Sequence, residues 1–321
     1  MRQLSLAPIK ASKNYILPGI ILLAGLIILV ALPTYGSKYS VIFLSTIFMY
    51  IVLTTSWVIF SGPTKQISLA TAVFFGIGIY VAAILGMHMP LIVMVLIGGL
   101  ASSVMALLVG GLTLRLKGVY FTIFTFGLLE LVKNVINWYE VTYTGTRGRF
   151  VVVVDNNTIY LYMLAIVVLT LSTAFLLRQS KYGLALESIG EQEEAAAHIG
   201  INVTLLKVAT FAISAFFMGA AGAVMATRWT YIDAFMAFNM NYSFTPVLMA
   251  IFGGIGLLGG VVSGAVIFAY LEQILITKYP FYYMLIFGIV MVVSVLFLPN
   301  GLAGIFQKWR THTPGGENAH S

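Results

Sequence analysis

Residues 90–114 have the sequence PLIVMVLIGGLASSVMALLVGGLTL, a stretch without a charged side chain. Because a bilayer-spanning helix needs about 20 mostly apolar residues, this stretch is long enough to cross a membrane. The whole chain has the same character: of its 321 residues, 60% are hydrophobic and 8% are charged. Soluble domains carry about 25% charged residues, so this composition excludes a soluble enzyme, a nucleic-acid-binding protein and a disordered scaffold. The predicted fold class is an all-α, polytopic integral membrane protein.

Similar apolar runs occupy most of the chain. We place predicted transmembrane helices near 15–33, 40–60, 66–86, 90–114, 119–137, 159–177, 203–226 and 281–298. A further apolar region, 243–277, is interrupted by glycines, and its halves form either two short spans or one re-entrant hairpin. The prediction is about ten transmembrane helices, two of them short or re-entrant. They make up a membrane domain over 15–305, flanked by an N-terminal segment, 1–14, and a polar tail, 306–321.

The positions of lysine and arginine predict the orientation, because these residues are enriched in short cytoplasmic loops. With ten crossings and a cytoplasmic N-terminus, most of the 17 basic residues lie inside. Those inside are Arg2, Lys10, Lys13, Lys65, Arg115, Lys117, Arg178, Lys181, Lys207, Lys308 and Arg310. Both termini are therefore predicted to be cytoplasmic. The run 15–33 is longer than a signal-peptide core and no cleavage site follows it, so we expect it to be retained as the first span.

A long polar segment, 178–202, separates two strong spans on the predicted cytoplasmic side. Ser188 and Glu191 have the spacing of a capping box, which predicts that a helix begins there with acidic residues in its first turn. Alanines follow, and Gly200 is suited to end the helix in a left-handed conformation. The segment is predicted to form one short helix across the inner face, with a solvated connector as the alternative. Its candidate functional residues are Glu191, Glu193, Glu194, Ala195, Ala196 and Gly200.

This segment also resembles a known motif. Glu194-Ala195-Ala196, followed after three residues by Gly200, is similar to the EAA-x-x-x-G pattern of permease subunits of ABC importers. The wider string EQEEAAAHIGI at 191–201 resembles the branched-chain amino-acid (LivM-type) version of that loop. The resemblance implies that the segment docks on a separate ATPase subunit and transmits its closure to the membrane helices.

Further stretches resemble the same family, so the similarity extends over roughly 40–305. They are ISLATAVFFGIGIY at 67–80, LKGVYF at 116–121, TGTRG at 144–148 and the glycines of 253–264. The chain also departs from the family pattern. The family often has arginine at the positions of Glu187 and Gly190, and a Gly-His pair where this chain has Leu69-Ala70.

Motifs for cofactor binding or bond-making chemistry do not fit this chain. The string 254–259 satisfies G-x-G-x-x-G, but it lies in an apolar stretch and not in a soluble βαβ unit. The sequence has no G-x-x-x-x-G-K-[ST] loop, so we expect no cofactor on this chain and ATP on partner subunits. It also has no cysteine, and its four histidines are scattered. We therefore predict neither a metal site nor a catalytic residue.

Two acidic residues inside predicted spans are candidates for a translocation pathway, because an ionisable group at membrane depth is costly. For Glu130, the alternative is a structural ion pair with Lys133 near the outer end of its helix. For Glu272, the alternative is a position at a helix end. Glycines at a broken span can also mark a pathway, with close helix packing as the alternative. These glycines are Gly253, Gly254 and Gly256.

The resemblance implies a transport subunit in the prokaryotic cytoplasmic membrane. The implied partners are a homologous second permease subunit, two ATP-binding cassette ATPase subunits and an extracytoplasmic binding protein that contacts loops 138–158 and 227–242. The expected cargo is a small amino acid of the branched-chain type, with urea or another small amide as the alternative. Two other classes stay open: an ion-coupled secondary carrier that uses Glu130 or Glu272, and a membrane scaffold without transport.

Overall fold

The computed structural model describes residues 16–292 except 87, 88, 115, 117, 283, 284, 287, 290 and 291, with the backbone alone for 16–24. The predicted segments 1–14 and 306–321, and most of the predicted span 281–298, lie outside the described residues. The described helices are α1 (Ile16–Tyr35), α2 (Lys38–Thr64), α3 (Thr71–Leu85), α4 (Leu91–Thr113), α5 (Val119–Tyr139), α6 (Asn156–Gln179), α7 (Lys181–Glu191), α8 (Glu193–His198), α9 (Val203–Ala226), α10 (Ala234–Ala237), α11 (Asn241–Gly253) and α12 (Leu258–Lys278). A π-helical turn, Glu140–Thr144, continues α5.

The described helices confirm an all-α membrane protein with several spans. Seven helical stretches are long and apolar enough to cross a bilayer: Lys38–Thr64, Leu91–Thr113, Val119–Thr144, Asn156–Gln179, Val203–Ala226, Ala234–Gly253 and Leu258–Lys278. Two shorter apolar helices are Gly25–Tyr35 and Thr71–Leu85. The count of about ten stays a prediction, since the last expected span is mostly outside the described residues.

The helices define two ends of the molecule. At one end, which we call the loop end, α7 and α8 lie beside the end of α2 and the start of α9. At the other, the ribbon end, the two-residue strands β1 (Arg149–Phe150) and β2 (Tyr231–Ile232) pair antiparallel. This ribbon joins the connection after α5 to the connection after α9.

The region 243–277 forms two helices, α11 and α12, which are joined by a turn at the loop end. There the Arg178 guanidinium, at the end of α6, donates to the carbonyl oxygens of Ile255 and Gly256. Towards the other end of α12, Gln273 Nε2 donates to the Tyr39 hydroxyl at 3.4 Å, beside the start of α2. Because α12 extends from the loop end to the ribbon end, this geometry favours two crossings over a re-entrant hairpin.

The centre of the bundle is built from α9, which packs against α2, α3 and α4. Glycines permit the closest approach: a Cβ at Gly78 of α3 would collide with the backbone of Gly219 on α9, and one at Gly98 of α4 would touch Ala223. Small residues at such crossings let membrane helices gain dispersion contacts that large side chains would prevent.

The predicted span 66–86 is only partly helical, because α3 begins at Thr71. The preceding residues, 65–70, are not helical, and their backbone polar groups bind side chains. The Trp57 indole donates to the Ser68 carbonyl oxygen at 2.8 Å, and the Ser243 hydroxyl donates to that of Leu69 at 2.7 Å. The Leu69 N–H donates to the Thr125 hydroxyl at 3.0 Å. Non-helical backbone inside a membrane protein needs such partners, so these side chains account for the shorter helix.

Candidate functional site

The segment 178–202 folds as two helices at the loop end, not as the single helix expected. The hydroxyl of Ser180 accepts the Gly183 N–H at 3.3 Å and caps α7. Ser188 lies inside α7 and donates to the Leu184 carbonyl oxygen, while Glu191 is the last residue of that helix. The predicted capping box is therefore wrong. Helix α7 already begins after Ser180, and it contains both Ser188 and Glu191.

The second helix, α8, agrees better with the prediction. Glu193 and Glu194 occupy its first turn, where negative charge is favourable. Gly200 follows the helix with φ +89°. Its N–H donates to the carbonyl oxygen of Ala197, and the N–H of Ile201 donates to that of Ala196. These two bonds form a Schellman motif, so the stop at Gly200 is confirmed.

Helix α7 is held against the end of α2. The backbone at Gly190 touches the Pro63 carbonyl so closely that a Cβ at position 190 would collide with its oxygen. Beside this contact, Lys65 Nζ lies 2.7 Å from Glu191 Oε1, although both side chains are largely exposed. The family arginine at position 190 does not fit this geometry, since it would force the two helices apart.

Helix α8 is held against α9 by a partly buried ion pair. Lys207 Nζ lies 2.7 Å from Glu193 Oε2, and the Lys207 side chain is only 2% exposed. Ala196 is buried with Leu186 and Ile189 of α7 in a small apolar cluster separate from the main core. The two short helices therefore form one unit that is fixed to α2 and to α9.

The outer face of this unit is exposed and partly apolar. We call it the coupling face; it consists of Tyr182, Leu184, Glu187, Glu194, Ala195, Ala197, His198 and Ile199. Leu184 on α7 is 63% exposed and Ile199, directly after α8, is 75% exposed, and both lie outside the apolar spans. Large apolar side chains exposed outside the membrane spans, together with acidic residues, favour a protein-interaction surface.

A cavity of about 650 Å³ adjoins the coupling face. It lies between α2, α6, α7 and the turn that joins α11 to α12, and its charged lining residues are Lys65, Arg178, Glu187 and Glu191. Through Arg178, the backbone of the α11–α12 turn is bonded to the end of α6 next to α7. Helix α7 is therefore connected around this cavity to α2, α6 and the α11–α12 turn.

The structure distributes the predicted pathway residues over three places. Gly253, Gly254 and Gly256 form the α11–α12 turn at the loop end, where Gly256 lines the cavity and Gly253 packs closely against Gly260. Glu272 lies on α12, within hydrogen-bonding reach of the Tyr50 hydroxyl. Glu130 lies on α5 and pairs with Lys133. Only the glycines are thus brought next to the predicted coupling residues.

The Glu130–Lys133 ion pair forms as its spacing indicates, with 2.6 Å between Lys133 Nζ and Glu130 Oε1. Its predicted position near the outer helix end is wrong. The helix continues through the π-helical turn to Thr144, so the pair lies midway along a 26-residue span. The sequence-based boundary at 137 was too early because polar and aromatic residues follow it.

A buried acidic residue at the ribbon end was not predicted from the sequence. Glu140 is 1% exposed, and its Oε2 accepts the Gly148 N–H at 2.9 Å. Arg149 Nε lies 3.6 Å from its other oxygen, and the Tyr80 hydroxyl faces the same carboxylate. This cluster ties the ribbon to α3 and α5. The position of an acid directly after the predicted span was the available signal.

Comparison with known proteins agrees with this architecture. The family described as branched-chain amino acid transport system / permease component matches residues 39–295. The high-affinity branched-chain amino acid transport system permease protein LivM of Salmonella typhimurium is 28% identical over 316 residues, which cover 88% of this chain and 74% of that protein. LivM of Escherichia coli is 27% identical with the same coverage.

A more distant similarity concerns part of the chain. The ribose import permease protein RbsC of Haemophilus influenzae is 28% identical over 130 residues, which cover 38% of this chain and 40% of that protein. No solved structure matches the chain significantly. Since the family match includes nearly all of the described membrane helices, the chain belongs to the family of permease components of branched-chain amino acid transport systems.

Proposed function

We propose that this chain is the membrane-spanning subunit of an ABC importer that carries a small branched-chain amino acid across the prokaryotic cytoplasmic membrane. The observation that carries the proposal is the coupling face. It is an exposed, partly apolar surface outside the apolar spans, on two short helices that are fixed to two long ones. The names of the LivM relatives support the branched-chain cargo.

In this proposal, an ATPase subunit docks on the coupling face and moves it when ATP closes the ATPase dimer. The movement passes to α2 through the contact between Gly190 and Pro63, and to α9 through the ion pair between Glu193 and Lys207. Because α9 packs against α2, α3 and α4, its displacement repositions the centre of the bundle. ATP is bound by the ATPase subunits, and this chain contributes no catalytic residue.

The other partners act at the ribbon end and along the side of the bundle. An extracytoplasmic binding protein contacts 138–158 and 227–242, the two connections that the β1–β2 ribbon joins. Arg228 in the second connection donates to the Thr46 hydroxyl at 2.8 Å, and burial lowers the pKa of its guanidinium. A homologous second permease subunit completes the pathway. With about ten spans, both termini are cytoplasmic and the loop end faces the cytoplasm.

The alternatives differ in cargo or in energy source. A urea or amide permease of the same family shares the coupling face but has another binding protein. An ion-coupled carrier requires a carboxylate that binds and releases a cation during transport. Glu130 Oε1 is already paired with Lys133 Nζ at 2.6 Å. This ion pair favours an ATP-driven mechanism over an ion-coupled carrier that uses Glu130.

Transport in proteoliposomes tests the proposal. The complete complex, with the binding protein outside and ATP inside, is expected to take up radiolabelled leucine, and ionophores that abolish ion gradients are expected to leave the uptake unchanged. Uptake driven by a proton or sodium gradient without ATP would overturn the ATP-driven mechanism. Uptake of urea but not leucine, with the matching binding protein, would overturn the cargo alone.

A further inference from the structure

One side of α5 carries a row of polar residues that the other described helices cover only in part. Glu130, Asn134 and Asn137 recur at the spacing of one helix face, and Gly127 lies beside them with open space around its backbone. The Asn134 amide donates to the Glu130 carbonyl oxygen at 2.7 Å, and its side chain is exposed. We call this row the α5 stripe.

The position of the α5 stripe is unusual for a membrane helix. Glu130 lies 11 residues after Val119 and 14 before Thr144, the ends of the span. At about 1.5 Å per residue it is therefore roughly 15–20 Å from either end, close to the middle of the helix. In an apolar 18-residue stretch of this span, only 28% is buried inside the protein, the lowest share among the seven spans. Amide and carboxylate groups at this depth are costly against lipid, so the stripe needs a protein or a water-filled space beside it.

The surroundings of the stripe combine charge with aromatic surface. Lys133 Nζ lies 2.6 Å from Glu130 Oε1 and 5.8 Å from the centre of the Phe235 ring, so α5 and α10 both contact the ammonium group. The Phe126 ring of α5 lies 6.3 Å from that of Phe244 on α11. Phe235 and Phe244 are both exposed. A negative group, a positive group and apolar rings therefore lie close together beside α5.

The polypeptide opposite the stripe is interrupted. Helix α10 ends at Ala237 and α11 begins at Asn241, and the Asn239 side chain accepts the Asn241 N–H across the break. Interrupted helices in transporters expose backbone polar groups at substrate sites near the centre of the membrane. This break is an observation independent of the polar row on α5.

We infer that the α5 stripe is the wall of the aqueous pathway and the place where the chain holds a zwitterionic amino acid during transfer. This inference depends on the proposed function and names the residues that face the cargo. The substrate ammonium group is placed by Glu130, its carboxylate by Lys133 and the amide of Asn134, and its apolar side chain by Phe235 and Phe244. When the amino acid binds, the Glu130–Lys133 ion pair is replaced by two ion pairs with the substrate, one from each residue. Both charged side chains therefore keep a partner.

The absence of cysteine makes the test direct, because one introduced thiol is the only one in the chain. Asn134→Cys places it on the stripe, and Leu100→Cys places it on an exposed apolar face of α4. The assembled complex is reconstituted in proteoliposomes, and the reaction with the membrane-impermeant cation methanethiosulfonate ethyltrimethylammonium is timed. We expect the thiol at 134 to react at least tenfold faster than the thiol at 100, and leucine-loaded binding protein with ATP to slow it.

The outcomes separate this inference from the proposed function. If the thiol at 134 reacts no faster than the one at 100 while the complex with the unmodified chain transports leucine, the inference is overturned and the proposed function stands. If labelling is fast but leucine has no effect on it, the amino-acid site is overturned. If labelling is fast and leucine-sensitive, a Glu130→Gln variant is expected to raise the KM for leucine at least fivefold, and an unchanged KM would remove Glu130 from the site.

Discussion

Glu193→Ala is expected to lower the free energy of unfolding by about 3 kcal/mol, because it leaves the nearly buried ammonium of Lys207 without its partner. The effect follows from burial: removing one member of a buried ion pair strands the other charge. The loss is expected at the lower end of the usual range, since Glu193 itself is 31% exposed. In detergent, this predicts a thermal midpoint several degrees below that of the wild type.

Glu191→Ala is the matched control. This residue is an acid in the same segment and also forms an ion pair of 2.7 Å, but both side chains of the pair are largely exposed. Exposed pairs contribute about 0–1 kcal/mol, so the thermal midpoint is expected to change little. The double variant Glu193→Ala/Lys207→Met is expected to recover most of the stability, because it removes the stranded charge. Equal effects of the two single variants would show that burial of Lys207 is not decisive.

Gly190→Val is expected to reduce ATP-driven uptake more than tenfold while ATPase subunits remain bound. A side chain at this position collides with the Pro63 carbonyl, so α7 must move away from α2. The coupling-face residues of α8 take no part in this contact, so docking of the ATPase is expected to be preserved. Measured in proteoliposomes, ATP hydrolysis is expected to continue without the matching uptake.

Gly111→Val is the control for this substitution. Gly111 lies on α4 with open space around its backbone, so a side chain there meets no other atom. Its uptake is expected to stay within twofold of the wild type. If Gly190→Val transports normally, the contact between α7 and α2 does not transmit movement, and α9 alone remains as the route.

The membrane architecture was predictable because apolar runs of span length have one stable solution, a helix in lipid. The end of α8 at Gly200 was also predictable, since its cause is local: a glycine in a left-handed conformation. The start of α7 was not, because the cap was expected at Ser188 and the structure has it at Ser180. The packing of Gly190 against Pro63 depends on the helix that Ser180 caps, so it was not predicted either.

The parts of the site that the sequence did not predict depend on contacts between distant residues. Lys207 was predicted to lie on the cytoplasmic side, but its pairing with Glu193 depends on how α8 packs against α9. Glu140 was overlooked because the π-helical turn extends its helix beyond the apolar run. Gly253, Gly254 and Gly256 were predicted to interrupt the apolar region 243–277, and they do separate α11 from α12. Their place beside Arg178 was set by helix packing.

The central claim is that the coupling face binds the ATPase, and a site-specific crosslink from α8 tests it most directly. Ala195 is exposed on α8, so Ala195→Cys carries a thiol-attached photocrosslinker without disturbing the buried Ala196. Thr146→Cys, exposed near the ribbon, is the control. In the assembled complex, we predict a crosslink from position 195 to the ATPase subunit and none from position 146. A crosslink from 146 to the ATPase, with none from 195, would contradict the account.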